Sequence, residues 1–189
     1  MLDEAEQLFA RGGYQGVTTR QITTAAEQGN TSAVSYHFGS RQGLLLAVLA
    51  RRGGPIDEER GRLRSALGAS PTLAELVSCL VMPYAAVLHG GAGRSYLQIV
   101  AQLRGRFAAW RVESDAATTA NLAAIVDEIE ASLTASPAVR RERVAGLIML
   151  LTGTVAERAR RIDAGLDNDL THQEFTANLV AMCAAAVAA

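Results

Sequence analysis

The sequence predicts an all-α chain: an N-terminal helix-turn-helix three-helix unit, then a larger helical unit, about nine to ten helices in all. Three observations predict it. Apolar residues recur at helical spacing along nearly the whole chain. No run of Val, Ile and Thr alternates with polar residues in the manner of a strand. Glycines, prolines and capping signatures fall between the periodic stretches, where helices must start and stop.

The first periodic stretch covers about Leu2–Arg11, with Leu2, Ala5, Leu8 and Phe9 on one face, and Gly12-Gly13 ends it. A second helix covers about Thr19–Gln28; Thr18 or Thr19 caps it, and Ile22, Ala25 and Ala26 face inward. Gly29-Asn30 makes a tight break. A short third helix, about Thr31–Phe38, turns Val34 and Phe38 inward and stops at Gly39. Ser40 caps a fourth, which runs to about Arg52 with Leu44, Leu45, Val48 and Leu49 buried. Gly53-Gly54-Pro55 then predicts a break, and sets the expected division into residues 1–53 and 54–189.

Beyond that point, helices are expected over about Ile56–Leu67, Thr72–Leu88, Ser95–Trp110, Ser114–Thr134 and Pro137–Ala164, with a last one opened by Thr171. Thr72/Glu75 and Thr171/Glu174 read as capping boxes, each pair satisfying two free backbone N–H groups. Ser136-Pro137 is a cap followed by proline in the first turn. Pro83 should kink or split its helix, and His89–Gly93 reads as a loop.

Composition excludes several classes. At 189 residues and 49% apolar the chain can bury a core, and with 5% aromatics that core must be mostly Ala, Leu and Val. Net charge is −1, and all 18 basic residues are Arg, so a polyanion partner has to be read from local charge. No apolar run is long enough to cross a membrane, and Met1-Leu2-Asp3-Glu4 lacks the layout of a signal peptide. Cys79 and Cys183 stand far apart inside apolar patterns, as buried thiols in a reducing cytoplasm would.

The informative stretch is Gly13–Leu49. A helix, a short turn and a very short helix have the spacing of a helix-turn-helix, whose second helix enters the DNA major groove. With Val34 and Phe38 inward, the short helix presents Thr31, Ser32, Ala33, Ser35, Tyr36 and His37. These side chains are small or hydrogen-bonding, suited to base edges and phosphate oxygens. Between Tyr14 and Gly53, four arginines (Arg20, Arg41, Arg51, Arg52) face one acid, Glu27, a local net charge of +3. Arg51 and Arg52 read as a solvated helix end, and Asp127, Glu128 and Glu130 as a solvated face.

In this order and at this spacing, Leu8-Phe9, Gly13-Tyr14, Thr18-Thr19-Arg20-Gln21-Ile22, Ala25-Ala26, Ser35-Tyr36-His37-Phe38, Ser40-Arg41 and Leu44-Leu45 resemble the DNA-binding domain of tetracycline-repressor (TetR) family regulators. The resemblance covers roughly residues 2–53. It implies phosphate contacts at Thr19 and Arg20, base reading by Thr31, Ser32, Ala33 and Ser35, and phosphate contact by Tyr36 and His37 at the groove edge. Arg41 fits the family's basic position opening the next helix. It further implies a homodimer paired through its last two helices, a double-stranded DNA operator, a small-molecule effector and a regulatory role, most commonly repression. The sequence departs from the pattern twice: it opens inside the first helix, so the basic arm of many members is either absent or lies before residue 1, and Gly29-Asn30 replaces the commoner Gly-Val-Ser-type turn.

Two further sets follow from patterning. Met82, Tyr84, His89, Tyr96, Gln98, Gln102, Phe107, Trp110 and Asn121 lie among apolar residues, the make-up of a ligand cavity. Their sparse charge predicts an apolar or neutral effector. Leu147, Leu151, Val155, Ala159 and Ile162, with Phe175, Leu179 and Met182, form stripes that serve either as core or as half of a four-helix interface. No metal site, cofactor or enzyme activity is expected. The three histidines are isolated, and no nucleophile elbow, phosphate loop or dinucleotide fingerprint is present. The rivals are a helical DNA-binding dimer without an inducer, and an all-helical enzyme with an acid/base set on the later helices.

Overall fold

The structure, a computed structural model, describes residues 1–28, 30, 32–103 and 118–188. Among them the chain forms nine α-helices, one 3-10 turn and no strand. Helix α1 (Leu2–Gly16) carries Asp3 and Glu4 in its first turn, where the helix dipole favours acids, and buries Ala5, Phe9 and Ala10. Gly13, at φ +73°, interrupts it as expected, and a further turn runs to Gly16. Helix α2 (Thr19–Ala25) is capped by Thr18, whose hydroxyl accepts from the Gln21 N–H at 3.2 Å. The Gln21 side chain returns the bond to the Thr18 N–H at 2.8 Å.

The turn after α2 is a Schellman motif. The Gln28 N–H donates to Thr23 O at 2.8 Å, and the Glu27 N–H to Thr24 O at 3.1 Å. Glu27 takes the left-handed position, at φ +53°, where glycine is the usual occupant. Glu27→Gly is therefore expected to raise stability by about 0.5–1 kcal/mol, measured by urea denaturation. Helix α3 (Ser32–Phe38) begins on Asn30, whose side-chain oxygen accepts from the Ser32 N–H at 2.8 Å, and Gly39 ends it at φ +72°.

Helix α4 (Arg41–Ala66) is capped by Ser40, as expected. It then corrects the sequence reading: it runs unbroken through Gly53-Gly54-Pro55, where a break between two helices was predicted. The physical reason is tertiary. The helix passes close to its neighbours there, and a Cβ on Gly53 would lie 3.4 Å from the Tyr96 hydroxyl. That spacing is ordinary van der Waals contact; buried Ile56 and Asp57 hold this stretch of the helix in place, and it tolerates the N–H missing at Pro55. One 26-residue rod thus links the helix-turn-helix to the rest of the protein.

The remaining helices are α5 (Leu73–Ala86), α6 (Gly91–Leu103), α7 (Ala120–Ser132), α8 (Pro137–Asp163) and α9 (His172–Ala188), with a 3-10 turn at Val87–His89 after α5. The capping boxes at Thr72/Glu75 and Thr171/Glu174 and the Ser136 cap all form. Helix α5 continues through Pro83. Helix α6 starts four residues before the expected Ser95. Gly93, read as loop, instead lets it pack tightly, since a Cβ there would collide with the Val87 carbonyl.

A continuous core runs from Phe9, Ile22, Val34 and Leu44 through Leu76, Leu80 and Leu97 to Ile129, Leu147, Leu151, Leu179 and Val187. Helix α6 packs against α1 and α8; α9 packs against α5 and α8; α4 packs against α1, α3, α5 and α7. Cys183 sits in this core, and burial pushes its thiol up to about 11. The unfolded thiol ionises near 9, so this contribution to stability is full below pH 9 and is lost as pH rises toward 11. Equilibrium unfolding across that range should show the fall, shallower in Cys183→Ala. Among the described residues no helix is long and apolar enough to cross a membrane.

Candidate nucleic-acid interface

Helix α3 is anchored by one side. Val34 is buried and Phe38 half-buried against α4 and the N-terminal core. The opposite side is open. Ser32, Ser35, Tyr36 and His37 are exposed, Ala33 is half-buried, and Tyr36 is 85% exposed despite its size. The Tyr36 and His37 rings meet edge to face, with centroids 4.9 Å apart. On α2, Arg20 is exposed and Thr19 half-buried. Thr31 lies outside the described residues.

Arg41 is held inside the domain. Its guanidinium donates to Val17 O at 2.7 Å and lies 4.4 Å over the Tyr14 ring, so it fixes the corner between α1 and α2. Arg51 is exposed as expected, but the helix does not end there, and Arg52 is drawn onto a buried acid. Arg51 bonds Asp3 at 2.6 Å, and Arg52 binds both carboxylate oxygens of buried Glu6 at 3.0 and 3.1 Å. These pairs clamp α4 to α1. Glu128, read as part of a solvated face, is bonded on both oxygens by Arg64 at 2.7 Å.

Of the nine candidate effector contacts, three come together. The rings of buried Tyr84 and Tyr96 meet edge to face with centroids 6.3 Å apart. Asn121 joins them through Asp57, to which its amide donates at 3.2 Å. The others scatter. Gln98 bonds Asp163 at 2.8 Å, Gln102 donates to Ala10 O at 2.9 Å, Met82 is exposed, and exposed His89 lies 4.5 Å from the His172 ring. Phe107 and Trp110 lie outside the described residues.

Two residues at this meeting point were missed in the sequence: Asp57 and Arg60. Both are buried on α4. Asp57 accepts the backbone N–H of Asn121 at 2.9 Å and of Leu122 at 2.8 Å, so it caps the start of α7 from another helix. The N-cap residue itself, Thr119, makes no side-chain capping bond. Burial, the largest influence on Arg60, pulls its pKa down, opposed by Tyr96, Asp57 and Tyr84. Burial likewise raises Tyr84 well above the usual phenol value and raises Tyr96. A signal was available: Asp57 and Arg60 are three apart, on the same side of α4 as Ile56 and Leu63.

The α8 and α9 stripes divide differently from expectation. Leu147, Leu151, Val155, Ala159, Phe175 and Leu179 are buried in the protomer's own core, Ile162 is half-buried, and Met182 is exposed. Another face stays open, with Gly146, Met149, Ala177, Ala181, Met182, Ala185 and Ala188 exposed. From Leu179 on, α9 is apolar all round, so that part of its sequence does not single out the outward side.

Helix α2, anchored by Ile22 and Thr23, and α3, anchored by Val34, form a helix-turn-helix whose second helix stands open on its outer side. Residues 1–48 match the family described as bacterial regulatory proteins, tetR family. Three solved structures of TetR-family transcriptional regulators share the fold, each with a TM-score of 0.58. The one from Rhodococcus sp. is 14% identical and covers 99% of this chain and 96% of its own. The one from Shewanella sp. PV-4 is 16% identical, covering 97% and 92%. PfmR from Thermus thermophilus is 14% identical, covering 97% and 96%. No curated protein matches the chain. Residues 1–48 are thus similar to the tetR family of bacterial regulatory proteins, and the chain as a whole shares the fold of the three solved structures.

Proposed function

We propose that the protein is a ligand-responsive transcriptional regulator, acting as a repressor, that binds a palindromic operator as a homodimer and leaves it when a small effector binds. Residues 1–53 bind DNA, and residues 54–189 bind the effector and dimerise. The observation that carries the reading is α3: Val34 locks its inner side while Ser32, Ser35, Tyr36 and His37 stand uncovered. In this reading Ser32, Ala33 and Ser35 face bases, and Thr19, Arg20, Tyr36 and His37 contact phosphates. Arg41 positions the α1–α2 corner.

The open face of α8 and α9 supports dimerisation. Its Gly and Ala residues allow close helix approach, and Met149, 54% exposed, and Met182, 41% exposed, supply adaptable apolar surface. A two-fold axis there presents two α3 helices about one DNA turn, or a multiple, apart. The unbroken α4 supports coupling, since it touches both α3 and the Tyr84–Tyr96 region. Effector binding favours a conformer whose two α3 helices no longer fit both half-sites.

Gel retardation of the DNA upstream of the protein's own gene tests the reading. Retention at low salt, lost with Tyr36→Ala, is the expected result. No retention of any inverted repeat there by the intact protein contradicts it.

A further inference from the structure

We infer that His89 and His172 form an acid-released latch on the first turn of α9: neutral, the pair seats that turn on the 3-10 turn; protonated, it lets the turn go and weakens the dimer. This deepens, and rests on, the reading of the protein as a dimeric regulator.

The two histidines stand far apart in sequence. His89 closes the 3-10 turn after α5, and His172 is the first residue of α9. Their rings meet at a tilt of 48°, with centroids 4.5 Å apart, and His172 is half-buried. Arg158 of α8 stands close by. Its guanidinium donates to Leu170 O at 2.6 Å and lies 4.3 Å over the Phe175 ring. Three groups able to carry positive charge thus converge on the start of α9.

The neighbouring acids are engaged elsewhere. Glu174 of α9 accepts the Thr171 N–H at 2.9 Å and the Thr171 hydroxyl at 2.8 Å. On α8, Glu157 pairs with Arg160 at 2.8 Å, and Asp163 pairs with Arg94 of α6 at 2.5 Å. Arg94 adds a further cation, bonding Leu88 O beside His89 at 3.0 Å. The one acid of α5, Glu75, lies in its first turn, at the far end. In the loop before α9, Asp167 accepts the Asn168 N–H at 2.8 Å. Asp169 lines one groove with Arg158, but burial and Arg161 both hold the Arg158 pKa down, and no acid opposes them.

A proton on His172 therefore meets burial, His89 and Arg158, which in that order hold its imidazole below the usual value. It also meets the positive end of the α9 dipole. The unfolded imidazole ionises near 6.5, so the stability supplied by the neutral pair is complete above that pH and is lost as pH falls below it. Release reaches the dimer because Ala177, Ala181 and Met182 of the open face follow on the same helix.

The chain has three histidines, so substitution can assign the effect fully. Thermal unfolding of the full chain should show Tm fall by about 2–4 °C between pH 7.5 and 5.5. His172→Asn should remove most of that fall and His89→Asn part of it, while His37→Asn, on α3, removes none. Sedimentation at the same two pH values should show the dimer dissociation constant rise about threefold or more in the wild type and stay level in His172→Asn. The inference is overturned by a Tm that does not fall, by a fall undiminished in His172→Asn, or by a dimer equally tight at both pH values. A protein that is monomeric at pH 7.5 removes the dimeric reading instead, and the Tm comparison then decides whether the pair holds α9.

Discussion

Asp57→Ala is expected to destabilise the protein by about 3–5 kcal/mol, lowering Tm by roughly 6–20 °C. Three losses coincide. The Asn121 and Leu122 N–H groups at the start of α7 lose their acceptor, with no side-chain cap from Thr119 to replace it. The negative charge at that helix N-terminus disappears. Arg60 stays buried and loses the carboxylate 3.7 Å from it. Arg60→Met should do the opposite or nothing. It removes a poorly paired buried charge and fills the space with an apolar chain, while Asp57 keeps its three bonds. Urea denaturation of the two variants side by side checks the contrast. A similar loss in both would mean that the pair, and not the cap, carries the stability.

Charging the open face of α8 and α9 should produce the largest functional effect. Met149→Arg and Ala181→Arg each place a cation on that exposed surface, and a two-fold axis brings like charge close to like. Both sites are solvent-facing in the protomer, so its core is untouched. The second half-site then no longer benefits from an effective concentration in the millimolar range, and operator affinity should fall about 10²–10⁴-fold. Sedimentation and anisotropy on one duplex read both effects. A variant that turns monomeric yet binds the duplex as tightly would contradict the dimer. Leu147→Ala or Leu151→Ala, by contrast, would report on protomer stability, since both are buried within one chain.

The local rules were legible wherever the signal lay within a few residues. Thr18, Ser40, Thr72, Ser136 and Thr171 all cap as the sequence implies, and Gly13 and Gly39 end their runs. So was the division of α3 between Val34 inside and Ser35 and Tyr36 outside, because a seven-residue helix has only one face to bury. What was not legible depends on contacts far along the chain. Gly53-Gly54-Pro55 reads as a break, yet the helix runs on through it into buried Ile56 and Asp57, whose partners lie on other helices. Arg52 reads as solvent-facing, yet Glu6 lies 46 positions away and folds against it. Arg60 escaped notice because a buried arginine violates the usual rule, and such violations gather at functional sites. The outward side of α9 was hidden because the helix is apolar on every side from Leu179 on.

The measurement that bears most directly on the role of α3 is selection of bound duplexes from a random pool at low salt, by the intact protein and by Tyr36→Ala. Enrichment of an inverted repeat with half-site centres about 10 base pairs, or a multiple, apart, lost in the variant, is the expected outcome. No enriched repeat, or the same repeat selected equally well by the variant, would show that α3 is not the element that reads DNA.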